Sequence, residues 1–235
     1  MKPQAPIIIQ SSKSSFVDSP SYYYPKTFKN ITLTLKHTYS GNHLVLQTLN
    51  GTNSPLAILS ANYITMLELF YADFYCYEIY FKFPGEHKLD DSSYDMELQV
   101  HCKDSKKQLY IVAVPVNKVQ EGESQSIFFD SLTSVISDAI DQTKLPYNVT
   151  ITHFGDFLDG FSILDGVYVY ETYLNFPPCD VAAYMSFNPR PLKINTALFE
   201  QLQSCVDSSK TDGKTNNRTP FEMTSWVDLY QYHLV

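Results

Sequence analysis

The sequence predicts a mainly β (α+β) fold in a single domain, and three observations carry that expectation. Eighteen Tyr and fifteen Phe stand against one Trp, a composition that favours strands. Stretch after stretch alternates apolar and polar residues with period two, as half-buried strands do. The length of 235 residues suits one β-rich domain, which commonly runs to about 200–250 residues.

Taken in order, residues 31–36 alternate as a strand, and Tyr39-Ser40-Gly41-Asn42 supplies turn chemistry before a second strand over 43–48. A further turn cluster spans 50–55. Residues 61–74 carry no clear period and stay unassigned. Three consecutive strands follow, over 75–83, 94–101 and 109–116. The acidic and Ser-rich turn 90–93 and the polar turn 103–107 separate them. Residues 119–124 form a charged loop. Apolar residues at three- and four-residue steps then predict an amphipathic helix over 126–142, from Phe128 and Leu132 to Ala139 and Ile140. Asn195 is placed to cap a short helix over 196–206, with Leu198 and Leu202 inward. The tail from 221 is aromatic, with Trp226, Tyr230 and Tyr232, and suits either the domain's own sheet or a partner.

Charge and composition bound the function. A net charge of −8 speaks against nucleic acid as a general partner. Two local groups, Lys103 with Lys106 and Lys107, and Lys26 with Lys29, read as solvated turns. No run of 18 apolar residues suggests a transmembrane helix. The first residues have neither an apolar signal core nor an Arg-rich transit pattern, which predicts an intracellular home: cytoplasm, cilium or mitochondrion. The four Cys lack zinc-knuckle spacing, and in that setting free thiols are expected. Four sequons, at Asn30, Asn50, Asn148 and Asn217, matter only on a secretory route.

The run 75–117 carries a resemblance. Tyr80 and Lys82 stand two apart on one strand, Glu86-His87 forms a turn, and Glu97-Leu98-Gln99-Val100-His101 follows on the next strand. This order resembles the α-class carbonic anhydrases, which place His-x-His, Ser-Glu-His and Glu-x-His-x-x-His there. In that family, residues i and i+2 of a strand share a face, so two imidazoles meet one metal and a third comes from the neighbouring strand. Here the pattern is present without its ligands. Tyr80 and Lys82 take the first two places, and the third falls to Gln99 or to Leu98, depending on which end of the run is aligned. His43 lies near the family's proton-shuttle place but reads as an ordinary loop-edge residue. A second departure lies in Tyr168–Met185: Asn175 and Phe176 replace the family's Thr-Thr, so the hydroxyl that orients the metal hydroxide against Glu86 is missing. Further agreement comes from Gln4-Ala5-Pro6-Ile7-Ile8-Ile9, Asp156-Phe157-Leu158, Pro177-Pro178-Cys179, Asn188–Ile194 and Asn216–Pro220. The likeness covers about residues 4–220, with 221–235 as a tail. The segment that usually precedes the family's Pro-Ile signature is expected to be absent or supplied by a partner.

The resemblance implies a large, twisted, mostly antiparallel sheet with a few surface helices. Lys82 at a metal-ligand place implies a buried ammonium that must find a carboxylate, Glu86 or Glu97. It also implies a chain without zinc, cofactor or carbonate dehydratase activity, serving as a structural subunit of a protein assembly. Poxviral carbonic anhydrase-like envelope proteins, which bind sulfated glycosaminoglycans, offer an adhesion alternative that the acidic balance counts against. A residual hydratase or esterase is the third expectation. An ion held by Tyr80, Gln99 and His101 is a weak variant of it, since phenol and amide are poor zinc ligands.

Overall fold

A computed structural model describes residues 7–18, 24–27, 31–38, 43–49, 55–64, 69–120, 123–139, 145–151, 167–173, 182–206, 221–222 and 230–233. Its strands are β1 (Ile7–Ile9), β2 (Ser15–Asp18), β3 (Tyr24–Thr27), β4 (Ile31–His37), β5 (Leu44–Thr48), β6 (Ala57–Ile64), β7 (Leu69–Lys82) and β8 (Lys88–Leu89). They continue as β9 (Met96–Lys103), β10 (Leu109–Lys118), β11 (Tyr147–Ile151), β12 (Val167–Tyr173), β13 (Ala182–Phe187), β14 (Leu192–Ile194), β15 (Phe221–Glu222) and β16 (Tyr230–His233). Two α-helices are described, α1 (Ile127–Ala139) and α2 (Thr196–Ser204).

Among the described residues, thirteen strands form one mixed, mostly antiparallel sheet in the order β11-β4-β5-β7-β9-β10-β13-β12-β16-β2, with β14 beside β10 and the β3–β6 pair beside β7. The aromatic tail thus contributes a strand to its own sheet, since β16 lies between β12 and β2. Trp226 lies outside the described residues. β1, β8 and β15 make a small parallel sheet. There Ser11 N–H and Oγ donate to the Asp90 carboxylate at 2.9 and 2.8 Å, and Asp90 N–H donates to Ile9 at 2.7 Å.

The middle of the sheet is built from strands buried on both faces. In β9, Leu98, Val100 and Cys102 point into a large apolar cluster, while Glu97, Gln99 and His101 alternate to the other face. α1 and α2 close the apolar side with Phe128, Phe129, Leu132, Leu198, Phe199 and Leu202. Each such side chain contributes roughly 1.5–3 kcal/mol by leaving water. A smaller cluster, with Tyr94, Ile111, Tyr170, Met185 and Phe187, packs on the opposite face.

Residues 61–64 and 69–74, unassigned from sequence, belong to two antiparallel strands, β6 and β7. β7 starts at Leu69, six residues before the expected start, and pairs with β6 first and β5 second along one edge. A bulge between Cys76 and Glu78 makes this consistent. The extra residue, Tyr77, reverses the parity of the strand, so even-numbered Phe74 and Cys76 share the apolar face with odd-numbered Ile79 and Phe81. Sequence alternation across 69–82 is therefore broken in the middle, which hid the first part of the strand while 75–82 was legible.

One expectation about the cysteines is corrected. Cys76 and Cys102, opposite each other on β7 and β9, form a disulfide. The pairing places the two sulfurs on one face at matching register, a proximity invisible in spacing alone. Cys205 is a free, buried thiol, and Cys179 lies outside the described residues. No helix among the described residues is long and apolar enough to cross a membrane. The lysine-rich turn is a tied loop. The Asp104 carboxylate accepts from Lys106 N–H and Gln108 N–H, and the Lys103 ammonium sits 4.8 Å from the centre of the Tyr77 ring.

Candidate functional site: a buried ammonium and its carboxylate partners

The bulge in β7 aims Glu78, Tyr80 and Lys82 away from the apolar core, and β9 meets them with His101, Gln99 and Glu97 in that order. The register Tyr80↔Gln99 decides between the two aligned candidates. Gln99 lies on the site face, whereas Leu98 pairs with Phe81 and is buried in the apolar cluster. Glu86 and His87 arrive from the loop after β7. Gly85 allows it: a Cβ there would stand 3.1 Å from Tyr94 Cβ and 3.2 Å from Tyr94 O. That close approach, with Gly85 N–H donating to Tyr94 at 3.1 Å, seats the loop against the chain leading into β9.

Lys82 is 1% exposed, and its Nζ lies 3.1 Å from Glu86 Oε1. This is the ion pair expected of a buried ammonium. The same Nζ donates to His43 Nε2 at 2.9 Å. His43, expected to be a bystander at a loop edge, is thus part of the site. Its ring also meets Tyr80 edge-on at 5.9 Å. Tyr80 in turn lies against His101, ring centres 4.4 Å apart, and donates to Glu78 Oε2 at 3.1 Å. Glu78 Oε1 accepts from Gln47 Nε2.

A second buried pair, His87 with Glu97, sits beside the first. His87 donates its backbone N–H to Glu97 Oε2 at 2.9 Å, and its Nδ1 lies 2.9 Å from both Glu97 oxygens. Gln99 joins the two pairs: its Nε2 donates to Glu86 Oε2 at 2.7 Å and to Glu97 Oε1 at 2.8 Å. Two carboxylate acceptors fix which end of this amide is nitrogen. Behind them, His87 Nε2 meets the Tyr170 hydroxyl, which donates to Met185 Sδ at 3.0 Å. Sequence reasoning missed Tyr170, Gln47 and Glu78. Glu78 had a signal, since it shares parity with Tyr80. Tyr170 had none, lying 83 residues from His87. Asn175 and Phe176 lie outside the described residues, as do 156–158, 177–179 and 216–220.

Burial and these charges set the protonation preferences. Burial, then the Lys82 charge, lowers His43 to about 3. Burial, then Lys82, holds His101 well below the usual imidazole value. Burial and then Glu78 raise the Tyr80 phenol, while burial, Glu97 and Glu86 raise that of Tyr170. Burial alone would raise Glu97. The charge of His87 and hydrogen bonds from His87 and Gln99 outweigh it, holding the carboxyl below its ordinary range.

Such a site holds charge in place but does not suit zinc. Its three strand positions present a phenol resistant to ionisation, an ammonium and an amide nitrogen turned toward carboxylates. Lys82 would repel a divalent ion, and its partners already neutralise one another. Among the described residues, no group of three or more His, Cys, Asp or Glu is placed to hold a metal ion.

No protein-family model matches the sequence, and no curated protein does. Solved structures do match. Dioscorin, in its crystal structure complexed with ascorbate, superposes with a TM-score of 0.76 at 13% identity, covering 100% of this chain and 87% of dioscorin. The fungal α-carbonic anhydrase of Aspergillus oryzae gives 0.73 at 20% identity, covering 96% and 84%. The α-carbonic anhydrase of Photobacterium profundum gives 0.67 at 16%, covering 97% and 88%. Identities this low speak for architecture alone, and on that ground the chain has the α-carbonic anhydrase-like fold.

Proposed function

We propose that this chain is a non-catalytic protein of carbonic anhydrase-like fold that works as a rigid binding platform, a structural subunit of a protein assembly. The observation that carries this reading is the Lys82 ammonium, ion-paired to Glu86 where the fold's metal ligands would converge. A site so neutralised lacks the metal hydroxide that hydration of carbon dioxide requires. What the fold retains is a broad, doubly packed sheet, and such rigidity lowers the ordering cost of binding a partner.

The Cys76–Cys102 disulfide favours an oxidising compartment over the reducing cytoplasm for this work. That setting would also suit the adhesion reading, yet the net charge of −8 counts against sulfated polymers. Native mass spectrometry of the protein from its source cells tests the platform reading, together with metal analysis and a carbon dioxide hydration assay. A stable complex with stoichiometric partners and no zinc is expected. A monomer carrying one zinc per chain and hydrating carbon dioxide would overturn it.

A further inference from the structure

We propose that Asn148 is an N-glycosylation acceptor, and that its glycan covers the exposed face of β11. The sequon Asn148-Val149-Thr150 lies wholly within β11, which among the described residues ends the strand order beside β4. Residues i and i+2 of a strand share a face. Asn148 and Thr150 accordingly both point to solvent, while Val149 and Ile151 are buried beneath. The buried side is also the side that contributes to the apolar core, so a sugar on Asn148 meets no packed element of the core.

The hydrogen bonding of the amide is suited to this modification. Asn148 uses its oxygen, which accepts from Thr34 Oγ1 at 3.0 Å. That bond orients the amide without engaging Nδ2, the atom a sugar replaces a proton on. Thr150 Oγ1 lies 3.2 Å from Thr32 Oγ1, so the whole patch is small, polar and open. The second, independent observation is the Cys76–Cys102 disulfide, far from β11 in sequence, which belongs to the same oxidising route on which sequons are read.

In the transfer step, Asn148 Nδ2 attacks the anomeric carbon of an oligosaccharide carried on a lipid diphosphate. The N–C bond forms as the C–O bond to the diphosphate breaks. One amide proton is released, and the lipid diphosphate is the leaving group. The amide oxygen is untouched, so the Thr34 contact survives.

Glycopeptide mass spectrometry of the native protein tests this directly, with peptide-N-glycosidase treatment converting an occupied Asn148 to Asp. An oligosaccharide on the Asn148 peptide is expected. In secretion-competent cells, Asn148→Gln and Thr150→Ala should each remove the same single glycan step on a gel. An unmodified Asn148 peptide overturns the proposal, whether the cysteines are bonded or free. That failure would leave the platform reading untouched, because zinc content and partner capture are read separately.

Discussion

Replacing Lys82 by Met is the sharpest test of the charged site. The ammonium lies 3.1 Å from Glu86 Oε1, and both side chains are 1% exposed. At an effective dielectric of about 20, that separation corresponds to roughly 5 kcal/mol of attraction. Met fills the stem's volume but strands the Glu86 carboxylate with the Gln99 amide as a remaining donor. Losing one member of a buried pair costs about 3–5 kcal/mol. For a chain of this size that lowers the melting temperature by roughly 10 °C. Urea unfolding at pH 7, followed by far-UV circular dichroism, reads the loss as a lower midpoint at unchanged slope. The double variant Lys82→Met/Glu86→Gln removes both charges and should recover most of it, giving a coupling energy of about 2 kcal/mol or more. A single variant costing under about 1 kcal/mol, or two changes that simply add, would refute the account of the ammonium as counter-ion.

Further outcomes follow from the same geometry. His43 and His101 are held below the ordinary imidazole value, burial being the larger cause, so below about pH 6.5 the unfolded chain binds protons that the fold refuses. Stability is full above that pH and drains as pH falls, by at most about 1.4 kcal/mol per unit for each ring. Glu97, held low, adds a loss below about pH 4.3, as protonation breaks its bond to His87. Urea midpoints that stay level between pH 7 and 5 would contradict this. Changing Tyr80, Lys82 and Gln99 together to His restores two same-face ligands and a third across the strand pair, and metal analysis should then find zinc that the parent chain does not retain. Asn195→Ala removes the acceptor of the 2.7 Å bond from Leu198 N–H and should cost about 1 kcal/mol in thermal unfolding.

Local order explains what could be read without coordinates. Apolar alternation located β4, the run after the Tyr39–Asn42 turn located β5, a β-branched apolar run located β10, the three-to-four-residue period located α1, and Asn195 announced the start of α2. Each of these signals lies within one segment, where side-chain direction follows from backbone period. The place of Lys82 and its need for a carboxylate were legible for the same reason. Tertiary structure alone decided the rest, because it turned on register and long-range pairing. The Tyr80↔Gln99 pairing chose Gln99 over Leu98, and the Tyr77 bulge concealed the first half of β7. His43 reached Lys82 across 39 residues, and Cys76 met Cys102 across 26. Strand neighbours are chosen by packing of the whole sheet, and no property of either segment taken alone carries that choice.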